Sequence, residues 1–114
     1  MDDLPMMALV ILLNQALNVG ATTGFALSGT SATLPRFVFW QIIGSAFGLG
    51  AQLSFAGLVR FSSIEIANAV GIGLAFVSVQ VFSAYVFFHV PFTTYQWLGT
   101  ALVFIGIMFI ALGK

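Results

Sequence analysis

The chain has 114 residues, of which 61% are hydrophobic and 5% charged, with zero formal net charge and a mean hydropathy of +1.13. Three basic and three acidic side chains cannot clothe a water-soluble domain, which carries roughly 25% Asp, Glu, Lys and Arg, so the sequence is that of an integral membrane protein. The absence of cysteine excludes a disulfide framework, a thiolate zinc site and a thiol nucleophile, and the lack of any run of like charge excludes nucleic acid or an anionic surface as an electrostatically recruited partner.

A spanning helix takes about 20 residues, so this length accommodates four spans with short turns. The expected fold is all-α, an integral membrane four-transmembrane-helix bundle forming a single domain over residues 1–114. The first span runs from Pro5 to Leu27. Proline suits a first helical turn, where its missing N–H would lack a partner in any case. This run is too long, and too polar in its middle, for a cleaved signal sequence, and it lacks the basic flank of one. The polar stretch Ser28-Gly-Thr-Ser-Ala-Thr33 ends it.

Pro35 opens the second helix, which is expected over residues 36–59. Arg60 and Phe61-Ser-Ser63 make a tight turn to the third, expected over 64–88, with Ser62 or Ser63 as N-cap and Glu65 in the first turn, where a carboxylate suits the helix dipole. His89-Val-Pro91 stops it, since proline disfavours helical geometry in the residue before it. Thr93 or Thr94 caps the fourth helix, expected over 95–112. Tyr95 and Trp97 at its start, with Tyr85 near the end of the third helix, lie at the depth where amphipathic rings anchor at headgroups, while Trp40 lies deeper.

Four spans place Arg60 and Lys114 on one side of the membrane and Arg36 and His89 on the other. So weak a bias of basic residues permits insertion in either orientation, and a mixed population permits an antiparallel dimer.

The polar residues fall on helical faces. Asn14, Gln15, Asn18 and Thr22 cluster in the first helix beside a Gly20/Gly24 step. Gln41, Ser45, Gly48 and Gln52 form a stripe on the second, widened by Gly44 and Ala51. The third carries Asn68, Gly71 and Ala75 on one stripe and Gly73, Val77, Gln80 and Ala84 on another. An unpaired amide in hydrocarbon costs several kcal/mol, so these groups bond one another, backbone or water. They are either interhelical glue or the lining of a hydrated chamber near mid-membrane. The fourth helix, nearly free of polar groups after Thr100, presents Gly99, Leu102, Val103, Gly106 and Ile107 as a packing seam.

Gly99-x-x-Leu102-Val103-x-x-Gly106-Ile107, together with Ala67 and Gly71-Ile-Gly73, resembles the drug/metabolite transporter superfamily and, in size and span number, its four-helix branch, the small multidrug resistance proteins. The resemblance extends over the whole chain and is strongest from Ser62 to Ile107. It implies a dimer joined through the fourth helix and a third helix kinked beside the substrate site. In that family a first-helix glutamate binds proton and cation; here the matching position holds Asn18, with Gln15 the next candidate, so proton coupling does not carry over. The aromatic residues beside the family's site correspond approximately to Ile66 and Ala69. Glu65, the one carboxylate outside the N-terminal tail, falls near the site-lining part of the third helix by the same comparison; it is otherwise an interfacial charge near Arg60. His89 stands where many superfamily members carry a glutamate, and an interfacial imidazole can reach headgroup water.

Two functions fit. One is a small transporter subunit of a bacterial inner membrane, surrounded by membrane lipid. It is a homodimer or a heterodimer with a paralogue, moving a small polar organic or lipid-linked solute past Asn14, Gln15, Asn18, Thr22, Gln41, Ser45, Gln52, Glu65 and Asn68. The other is a non-transporting structural subunit of a larger membrane complex. An enzyme is not expected, for the sequence offers no carboxylate pair, triad or metal-ligand spacing, and it implies no cofactor and no metal.

Overall fold

The computed structural model describes residues 4–113. Four helices follow one another: α1 (Leu4–Gly29), α2 (Leu34–Phe61), α3 (Ile64–Phe87) and α4 (Thr94–Leu112). All four are long and apolar enough to cross a membrane, and the described residues contain no strand. The 28 residues of α2 extend about 42 Å, beyond the roughly 30 Å of the hydrocarbon core. The chain is an all-α integral membrane protein.

The helix ends follow local chemistry. Thr33 caps α2, its hydroxyl accepting from Arg36 N–H, and Pro35 sits in the first turn. α1 and α2 each run about two residues into the turns expected to bound them. At α4, Thr93 and Gln96 form a reciprocal capping box, with Gln96 N–H to Thr93 Oγ1 at 3.2 Å and Thr93 N–H to Gln96 Oε1 at 2.8 Å. Ser63 has the extended backbone of an N-cap for α3, yet its side chain makes no capping bond and its Oγ is buried without a partner among the described residues.

α1 and α2 form the tightest pair. They cross where Gly24 meets Gly44, and a Cβ on Gly24 would lie 2.9 Å from the Gly44 Cα, so the backbones touch where only glycine fits. On one side of this crossing Ser28 Oγ donates to Phe37 O at 2.9 Å, and on the other Asn14 reaches Ala51 and Ser54. α3 lies against α1, and α4 packs on α3, where Ile107 fills the space beside Gly73. The molecule measures 49 × 34 × 19 Å. Its short dimension is little more than half of the middle one, so the bundle is flattened.

What is buried is small or polar: Ala21, Ala51, Ala67, Ala69 and Ala75 beside Leu58 and Ile107, together with Asn14, Gln15, Ser28, Ser54, Ser83 and Thr100. Large apolar side chains such as Leu12, Leu53, Ile72 and Phe109 point outward. Lipid is as apolar as leucine, so helices associate through close backbone approach and interhelical hydrogen bonds.

α3 departs most from expectation. It is π-helical over Ala69–Gly73 and again over Val79–Phe87, with ordinary α-helix over Ile64–Asn68 and Leu74–Ser78. His89 then takes a left-handed φ of 56°, and Val90 N–H reaches back six residues to Ala84 O. The stop expected at His89-Val-Pro91 is therefore a left-handed helix end, one residue wider than usual because the last turns are π-helical.

Candidate functional site

The amides of α1 form a connected network at mid-span. Asn14, almost wholly buried, donates to Ala51 O at 3.1 Å and to Ser54 Oγ at 2.9 Å on α2. Its Oδ1 accepts from Gln15 Nε2 at 3.2 Å and from Asn18 Nδ2 at 3.1 Å. Gln15 faces α3, donating to Val70 O at 2.9 Å and accepting from Ser78 Oγ at 2.7 Å. Farther along, Thr23 Oγ1 and Ser83 Oγ share a hydrogen bond of 2.8 Å. Asn14 and Gln15 thus satisfy each other and their neighbours, as interhelical glue requires.

Asn18 differs. Its Nδ2 is held by Asn14 O and Asn14 Oδ1, and the half-buried residue lines an open groove of about 400 Å³ between α1, α2 and α3. Thr22 and Gln52, both exposed, line it too. Ala21, Gly48, Ala51 and Gly71 form a small-residue floor, and Phe25, Phe55 and Ile72 supply apolar walls. None of the lining residues carries a charge. A space of this size with convergent polar groups among apolar walls suits one small molecule.

The expected site residues divide. Asn14, Asn18, Thr22 and Gln52 come together at this groove. Gln15 is turned from it toward α3. Gln41 and Ser45 do not line it, although Gly48 and Gln52 of the same stripe do. The face of α2 that packs is Gly44, Ala51, Ser54 and Leu58, which takes in the Gly44 and Ala51 flank of the stripe and lies to one side of Gln41, Ser45, Gly48 and Gln52. Glu65 and Asn68 lie in a separate hollow between α3 and α4 with Ala69, Ile72 and Ile110.

Ser54, Ser78, Ser83 and the Val70 carbonyl are the polar partners that sequence reading missed. A signal for the serines existed: amide donors inside a membrane need acceptors, and hydroxyls in otherwise apolar helices are the nearest supply.

On α4, Gly99, Leu102, Val103 and Gly106 are exposed, and a Cβ on either glycine would meet nothing within 4 Å. Ile107 is not part of that open face; it is buried against Gly73. At the α3–α4 turn, Tyr85, Phe92 and Trp97 pack ring on ring with centroids 5.0–6.0 Å apart, and Tyr95 is exposed. That cluster fits headgroup anchoring. Within the described residues no cluster of His, Cys, Asp or Glu is placed to hold a metal ion. The chain matches no family model, no characterised protein and no solved structure.

Proposed function

We propose that the chain is a dimeric membrane transport subunit of the small multidrug resistance type, in which the α1–α2–α3 groove carries a small uncharged polar solute or the polar part of a lipid. The observation that supports this reading is the exposure of Thr22 and Gln52, beside half-buried Asn18, within the spanning stretches of α1 and α2. Polar side chains facing hydrocarbon are costly, so this surface calls for a polar occupant or a second copy of the chain. A groove without charge favours neutral cargo over cations. The reading places the protein in a bacterial inner membrane, either orientation being open to it.

The test is uptake into vesicles reconstituted with purified protein, comparing neutral polyols, zwitterionic amino acids and quaternary ammonium cations. Saturable uptake of an uncharged class, reduced at least about tenfold in Asn18→Ala and in Gln52→Ala with the dimer retained, is the expected result. Absence of saturable flux for every class would sink the reading.

A second reading, a non-transporting subunit of a larger membrane complex, draws support from Asn14 and Gln15, whose hydrogen bonds are spent on α2 and α3. It requires co-purification with other proteins in fixed stoichiometry. Isolation as a clean homodimer rules it out.

A further inference from the structure

Gln15 is tied to α3 through both polar atoms of its carboxamide. Nε2 donates to Val70 O at 2.9 Å, and Oε1 accepts from Ser78 Oγ at 2.7 Å. Between these anchors lies Leu74–Ser78, a single stretch of ordinary α-helix flanked by π-helix over Ala69–Gly73 and Val79–Phe87.

The Val70 carbonyl is open to Gln15 because the helix is widened there. In a regular α-helix Leu74 N–H would bond Val70 O, four residues back; here it bonds Ala69 O, five back. A π stretch is in effect an α-helix holding an extra residue. When that excess passes from one side of a segment to the other, the segment turns by one residue, about 100°. Leu74–Ser78 has a widened stretch at each end, so it can turn while the outer ends of α3 stay in place. The Gln15 carboxamide spans this turn and holds its setting.

We infer that Gln15 is a clamp on the rotational setting of the Leu74–Ser78 turn, and through it a positioning residue for the groove wall at Gly71 and Ile72. The second π stretch is pinned to α1 as well, by the Thr23–Ser83 hydroxyl pair. Asn14 Oδ1 accepts from both Gln15 and Asn18, so the clamp shares an acceptor with an amide of the groove. Anything that recruits Asn18 changes the bonding at the clamp. The inference concerns motion of α3 and does not depend on what the groove carries.

The chain has no cysteine, so Phe76→Cys on the turn and Leu53→Cys on α2, both exposed, accept two spin labels in the full chain in lipid nanodiscs. Pulsed dipolar spectroscopy reads the distance between them. Each hydrogen bond to α3 removed should raise a second, displaced distance population by about threefold: threefold for Ser78→Ala and about tenfold for Gln15→Met, which keeps the length and loses both bonds to α3. A control pair at Leu9 and Leu53, across α1 and α2, should keep its distance. An unchanged distribution in Ser78→Ala, or in Gln15→Met where that variant folds, overturns the clamp, as does equal spreading of the control pair.

Discussion

The Asn14 side chain donates to Ser54 Oγ at 2.9 Å across the α1–α2 seam, and Ser54 Oγ itself donates to Ala51 O, which also accepts from Asn14. Three groups thus close a small hydrogen-bonded ring inside a stretch that faces hydrocarbon on its other side. Asn14→Leu breaks the ring and removes an acceptor from both Gln15 and Asn18. The expected loss is about 1–2 kcal/mol, more than the roughly 0.6 kcal/mol averaged over single interhelical bonds, because several groups lose partners together. Ser54→Ala should cost about 0.6 kcal/mol. Reversible unfolding in mixed detergent micelles, followed by circular dichroism, measures both.

Glycines should divide by what surrounds them. A Cβ at Gly24 would come within 2.9 Å of Gly44 Cα, which is backbone and cannot swing aside, whereas one at Gly48 meets nothing within 4 Å. Gly24→Ala should lower the melting temperature by pushing α1 from α2. Gly48→Ala should be neutral or raise it slightly, since alanine is favoured over glycine within a helix by about 0.5–1 kcal/mol. Equal melting temperatures for the two variants would mean that the Gly24–Gly44 crossing is not the tight point of the fold.

The sequence made the four spans legible because length, hydropathy and punctuation all agree there. Pro35 stands in the first turn of α2, and Thr93 caps α4 with Gln96. The inward amides Asn14 and Gln15 were legible for the same reason, an amide in hydrocarbon being too costly to leave unpaired. The π-helical stretches of α3 were not. No proline or polar run announces them between Ile64 and Phe87; the Gly71-Ile-Gly73 step, where the resemblance implied a kink, lies in the first, yet the Val70 carbonyl that this stretch frees is paired by Gln15, 55 positions earlier in the chain. On α2 the contact with α1 falls on the Gly44 and Ala51 flank expected to widen the stripe of Gln41, Ser45, Gly48 and Gln52, and it continues to Ser54, which the sequence reading had not placed there.

On the proposed reading, passage of a solute through the groove should be indifferent to pH. Asn14, Asn18, Thr22 and Gln52 supply its polar lining and do not titrate, and Glu65 lies in the separate hollow beside α4. Uptake of a neutral solute should therefore stay flat from about pH 5.5 to 8.5, a range that spans the ordinary histidine value. Vesicles with equal pH inside and out provide the measurement. A tenfold change per pH unit anywhere in this range would show that a titrating group is part of the path.

The open face of α4 yields the sharpest separation of fold from assembly. Gly99 and Gly106 are exposed with nothing near where a side chain would grow, while Ile107, one position on, is buried against Gly73. Gly106→Leu should leave the monomer fold intact, with unchanged helical circular dichroism, and convert the proposed dimer to monomer in native mass spectrometry, because the added side chain blocks close approach of a second α4. Ile107→Ala should do the reverse: it empties the contact between α3 and α4, costing on the order of 1–2 kcal/mol of lost packing within the chain, and any loss of dimer would follow from loosening of α4. A Gly106→Leu variant that remains fully dimeric would move the interface to another face, with the groove rim at Thr22 and Gln52 next in line, since that is where polar side chains meet the membrane uncovered.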